Sequence, residues 1–153
     1  MKPEIFFGLI AAIGTGIIVG TQSTLSGRIG SLIGPMPTGL LSNVVSGISA
    51  TIIILALFVL NKGISLNVPR QTVILLAISG TIGILVVTGA AFAVPRLGVT
   101  AAVAAIILGQ MLISTLVDSS GWFGMNIIPL DLKRIAGLIV LAVGVYLLLP
   151  RSA

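Results

Sequence analysis

Cysteine and histidine are both absent from the 153 residues of this chain, only three residues are acidic, and charged residues of either sign make up 7% of it. Without Cys there is no disulfide framework, no thiolate nucleophile and no sulfur metal site. Without His there is no imidazole ligand, no Ser-His-Asp triad and no histidine proton switch. No plausible nucleophile–base pair or metal site remains, so neither an enzyme nor a cofactor or metal protein is expected. A soluble globular domain carries about 25% charged residues. This chain has too little polar side chain to coat a sphere of its size.

What is present explains the shortage. Hydrophobic residues make up 57% of the chain, with 19 glycines and a mean hydropathy of +1.28. The solvent that suits this composition is lipid. The net charge of +5 comes from eight Lys/Arg scattered singly along the chain. Dispersed cations at the ends of apolar segments are topogenic signals rather than a phosphate-binding patch, so no nucleic-acid partner is expected.

Spanning about 30 Å of hydrocarbon takes roughly 20 apolar residues in a helix. Reading between charges predicts five such segments in a single transmembrane domain, at about 5–25, 37–60, 72–94, 98–117 and 133–149. The break at Gly34-Pro35-Met36-Pro37 separates the first two, and Pro95-Arg96 ends the third. The first apolar run exceeds a signal-peptide core and reads as a retained helix. With five helices the termini face opposite sides. Lys2, Lys62, Arg70, Lys133 and Arg134 then share the N-terminal face, against Arg28, Arg96 and Arg151 opposite. That bias is small, which leaves open a single orientation or insertion both ways with pairing to an inverted copy.

Helices in lipid associate through close backbone approach at small residues. Such stripes occur at Gly16 and Gly20, at Ser42, Ser46 and Ala50, at Ser79 and Gly83, and at Ala101, Ala105 and Gly109. Each reads as packing within the chain. On the fifth segment Gly137 and Gly144 lie two turns apart on one face, a spacing that resembles the dimerising last helix of small multidrug resistance transporters. The stretch from Pro95 to Gly124 narrows the resemblance. Its marks are Pro95-Arg96-Leu97-Gly98, Leu108-Gly109-Gln110, Asp118 and the Gly121…Gly124 turn, followed by Arg134 and Gly137. Together with Gln22, Leu25 and Gly30, they resemble the YdcZ-like five-helix family of the drug/metabolite transporter superfamily. That family usually carries Asn where this chain has Ser26.

The resemblance implies an all-α half-transporter in the bacterial cytoplasmic (inner) membrane. It would pair, as a homodimer or with a paralogous five-helix chain, into an antiparallel ten-helix exporter. Gly137 and Gly144 are then the expected dimer interface.

Polar residues inside hydrocarbon are costly and read as functional by default. All three carboxylates, Glu4, Asp118 and Asp131, sit at segment ends. No residue matches the buried Glu by which small multidrug resistance proteins couple protons. What remains is amides and hydroxyls. Gln110 falls roughly 18 Å into the fourth segment, near the midplane, with Ser114 and Asp118 one and two turns further along the same face. Thr15 and Gln22 share a face of the first segment. Gln22 and Asn43 lie near one edge of consecutive helices, as an interhelical hydrogen bond or as cavity lining. Thr81 adds a hydroxyl to the third segment.

The expected substrate-binding set is therefore Gln110, Ser114, Gln22, Asn43, Thr15 and Thr81, although back-bonding to the i−4 carbonyl competes at each Ser and Thr. Asp118 reads as a cap or as the partner of Lys133 or Arg134, and Trp122 as an interfacial aromatic. These features point to a secondary exporter of a small neutral or zwitterionic metabolite or drug. The alternatives are a passive dual-topology channel and a non-transporting membrane subunit.

Overall fold

The computed structural model describes residues 3–60 and 68–150. Lys2, Lys62 and Arg151 of the charge count lie outside the described residues, as do the side chains of Glu4 and Phe123. Five α-helices follow one another: α1 (Pro3–Ile33), α2 (Pro35–Val59), α3 (Arg70–Leu97), α4 (Val99–Ser120) and α5 (Leu132–Leu148). A short 3-10 turn at Trp122–Gly124 precedes α5. Helices α1 to α4 are long and apolar enough to cross a membrane. With 17 residues, α5 rises about 25 Å, near the lower limit for a span.

Helix ends differ from those expected by charge. α1 runs through Arg28 to Ile33, and α3 starts at Arg70 and passes Pro95 to end at Leu97. A lone Arg near a membrane surface extends its long side chain to water without ending the helix. Pro95 stands in the last turn, where its missing N–H costs a single backbone bond. The helices stop instead at Gly34 (φ 90°, ψ 155°) and Gly98 (φ 77°, ψ 159°), each a one-residue joint to the next helix. Both glycines occupy a region of backbone space essentially closed to other residues.

The two joints repeat one another. The Gly34 N–H donates to Gly30 O (3.0 Å) and Gly34 O accepts from Thr38 N (3.2 Å). The Gly98 N–H donates to Val94 O (3.0 Å) and Gly98 O accepts from Ala102 N (3.1 Å). Burial follows the same register. A shift of 64 residues carries Gly34 onto Gly98, and the buried Ser23, Ser26, Gly27, Gly30 and Thr38 onto Val87, Ala90, Ala91, Val94 and Ala102, also buried. The helix–glycine–helix segments α1–α2 and α3–α4 are thus structural repeats, with α5 added after the second.

Two compact units make up the chain, one of residues 22–92 and the other of the described residues on either side. In the first, α1, α2 and α3 approach through small residues. A Cβ on Gly30 would lie 2.7 Å from both the Cβ and the carbonyl oxygen of Ala91. Pro95 has no N–H to offer that carbonyl, and the Gly30 Cα–H supplies a weak donor in its place. Gly39 on α2 meets Ile84 and Thr88 of α3 in the same way. In the second unit α4 packs against α5. Apart from Val87 and Val94 the buried apolar residues are alanines, while most Ile, Leu and Phe side chains are exposed. This is the inverse of a soluble core, as expected where lipid replaces water as the solvent.

Candidate functional site

A groove of about 360 Å³ runs among the first three helices in the unit of residues 22–92. Its polar lining is Gln22 of α1, Ser42, Asn43 and Ser46 of α2, and Ser79 of α3, with Ile82, Gly83 and Val86 completing the wall. Ser42 and Ser46 are one helical turn apart, so both fall on the face of α2 that also carries Asn43. Gly83 admits the Asn43 carboxamide, since a Cβ there would lie 3.2 Å from Oδ1. The Asn43 Nδ2 donates to Gly39 O at 2.9 Å, which fixes the amide. An adjoining groove of about 410 Å³ between α1 and α2 shares Gln22, Ser42 and Ser46 and is otherwise mostly apolar. No charged residue lines either groove.

Hydrogen bonding separates this lining from most of the other hydroxyls of the three helices. Thr15, Thr21, Ser26, Ser49, Thr51 and Thr81 each donate to the carbonyl four residues earlier, at 2.9 Å. The side chains of Gln22, Ser42, Ser46 and Ser79 make no hydrogen bond among the described residues. In hydrocarbon an amide or hydroxyl left without a partner costs roughly 1–3 kcal/mol or more. Gln22, Ser46 and Ser79 are exposed and Ser42 is half-buried, so these groups are open to water, a ligand or a partner helix that bonds them. The arrangement can therefore hold an uncharged or internally neutral molecule rich in donors and acceptors.

A third groove, about 460 Å³, lies between α4 and α5 and is lined by Ser114, Thr115, Asp118, Arg134 and Gly137 with apolar neighbours. Arg134 Nη1 donates to Asp118 Oδ2 at 3.1 Å, both side chains being about one-third exposed. Asp131 caps α5, its Oδ1 accepting from Arg134 N at 2.8 Å.

Among the expected substrate-binding residues, the structure brings Gln22 and Asn43 to one groove and sets Ser114 in another. Gln110 is exposed and lines none of these grooves. Thr15 and Thr81 are exposed and bonded back to their own helices. Gly137 and Gly144 have nothing within 4 Å of where a Cβ would stand. Trp122 is exposed on the turn after α4. Ser42, Ser46 and Ser79 read from sequence as packing stripes. The signal pointing elsewhere was the Asn beside Ser42, which puts an amide on a face that pure packing would keep small.

The model of the family described as "Putative inner membrane exporter, YdcZ" matches residues 7–147. The chain belongs to this family. The match starts within α1 and ends one residue before the end of α5, so it takes in both glycine joints and all three grooves. No curated protein and no solved structure matches the chain. Membership of the YdcZ family and the long apolar helices together make this a multi-pass inner-membrane protein of an exporter class.

Proposed function

We propose that this YdcZ-family protein is a secondary exporter of a small neutral or zwitterionic molecule, bound in the groove of Gln22, Ser42, Asn43, Ser46 and Ser79. The observation that carries this reading is that Gln22, Ser42, Ser46 and Ser79, all without a side-chain hydrogen bond among the described residues, line one groove together with Asn43. The unit works as a dimer by alternating access, and Gly144 of α5, with nothing within 4 Å of a Cβ position, leaves room there for the second copy.

Purified protein is screened by thermal shift against neutral, zwitterionic and cationic small molecules, and hits are carried into proteoliposomes. A stabilising ligand shows saturable uptake and counterflow, and Ser46→Leu abolishes both stabilisation and flux. Flux without counterflow identifies a channel instead. Ligand stabilisation that survives both Ser46→Leu and Gln22→Leu removes the groove as the site.

A further inference from the structure

The groove between α4 and α5 has a polarity that the proposed substrate site lacks. Its charged end is the Asp118–Arg134 pair, with the Ser114 hydroxyl one turn deeper and unbonded among the described residues. Beyond it the walls become apolar, through Met111 and Ile107 on α4 and Leu138 and Leu141 on α5. Gly137 forms the open floor, with nothing within 4 Å of a Cβ position. From Asp118 to Ile107 the rise along α4 is roughly 16 Å, close to half of the ~30 Å hydrocarbon core. The slot thus has the length of one leaflet, with its charges at the headgroup end and its apolar walls towards the midplane.

We infer that this slot seats one zwitterionic phospholipid of the leaflet on that side. Its phosphate lies on the Arg134 guanidinium, its primary ammonium on the Asp118 carboxylate, and an acyl chain runs over Gly137 between α4 and α5. Charge complementarity selects the head. The pair presents one anion and one cation, so a lipid with net negative charge gains at Arg134 and loses at Asp118. A quaternary ammonium has no N–H with which to bond the carboxylate. Both side chains are about one-third exposed, so each can turn from its partner to a headgroup at small cost.

Trp122 is the sole tryptophan and lies four residues past Asp118, just beyond the charged end of α4, so it reports on lipid at that end. The full-length protein is reconstituted in phosphatidylcholine vesicles. Phosphatidylethanolamine, phosphatidylcholine or phosphatidylglycerol brominated on the acyl chains is then titrated in, with Trp122 quenching as the readout. Brominated phosphatidylethanolamine is expected to associate about three- to fivefold more strongly than either of the others. Gly137→Leu fills the slot without touching a charge and brings the ratio to one. Asp118→Asn, a milder change should the leucine variant fail to fold, removes the preference over phosphatidylcholine. Equal quenching by all three lipids, stronger association of phosphatidylglycerol, or a preference that persists in Gly137→Leu or Asp118→Asn overturns the inference.

Discussion

Gly39→Ala tests whether α2 and α3 are held by backbone approach. Gly39 is buried. A Cβ there would lie 2.7 Å from the Ile84 carbonyl oxygen and 3.1 Å from Thr88 Cβ, and would collide with Thr88 Oγ1. A backbone carbonyl inside a helix cannot swing aside, so the two helices must part. Overpacking of this kind costs roughly 1–3 kcal/mol, and the lost Cα–H···O contact another ~0.5–1 kcal/mol. Against these stands the helix-propensity gain of about 1 kcal/mol for replacing glycine by alanine. The net is a destabilisation of roughly 0.5–3 kcal/mol. Gly47, two turns along the same helix, has nothing within 4 Å of its Cβ position. There the propensity gain is unopposed, and Gly47→Ala stabilises by up to about 1 kcal/mol. The two substitutions therefore act with opposite sign. Equilibrium unfolding in mixed micelles, followed by far-UV circular dichroism, measures both. If Gly39→Ala proved as stable as Gly47→Ala, the close approach of α2 and α3 would be wrong. Thr88→Ala added to Gly39→Ala should recover only part of the loss, because the Ile84 carbonyl stays in place.

Gly34→Ala and Gly98→Ala each force an L-residue into a glycine-only conformation, at about 1–3 kcal/mol. Neither added methyl meets an atom closer than 3.7 Å, so equal unfolding penalties at the two joints are expected. Clearly unequal penalties would refute their equivalence. Asp131→Ala removes the α5 cap from Arg134 N and should cost about 1 kcal/mol in the same unfolding assay. Asp118→Asn, at a pair about one-third exposed, should cost less than about 1 kcal/mol, and a larger loss would mean that the pair is more desolvated than its exposure shows. Ser49→Ala, which removes a hydroxyl already bonded to Val45 O, should leave ligand binding unchanged while Ser46→Leu abolishes it in the thermal-shift assay.

The membrane class and the succession of five helices were legible from composition and segment length, because the demand of hydrocarbon for roughly 20 apolar residues is coarse and unambiguous. Helix ends were less so. Charge predicts ends near Arg28 and Arg96, whereas both lie inside helices and the stops are Gly34 and Gly98. The site was half legible. Gln22 and Asn43 stand out as amides and do share a groove, but Ser42, Ser46 and Ser79 read as packing stripes while Thr15 and Thr81 read as binding residues. Whether a helical hydroxyl turns back to its i−4 carbonyl or outward is a choice of χ1 rotamer, decided by neighbours on other helices. Thr88 shows the limit of that rule, its Oγ1 being buried without a hydrogen-bond partner against Gly39.

The repeat changes what Gln110 means. The shift of 64 residues that superimposes the joints carries Ser46 onto Gln110 and Asn43 onto Ile107. On α2 the face after the joint carries Ser42, Asn43 and Ser46 and meets α3, whereas on α4 the matching positions are Ile106, Ile107 and Gln110. One repeat carries a polar face there, whereas the other carries mostly isoleucine with an amide at a single place. Two segments alike at their glycine joints and in the buried positions around them are thus unequal in polarity, and the unbonded amide and hydroxyls lie mostly in the first. The second half is left free to carry the ion pair at its membrane-surface end and the apolar slot above it. Depth and a polar stripe, which single out Gln110 in the sequence, cannot separate these roles. What separates them is whether the polar group has a partner within its own helix and what stands across from it.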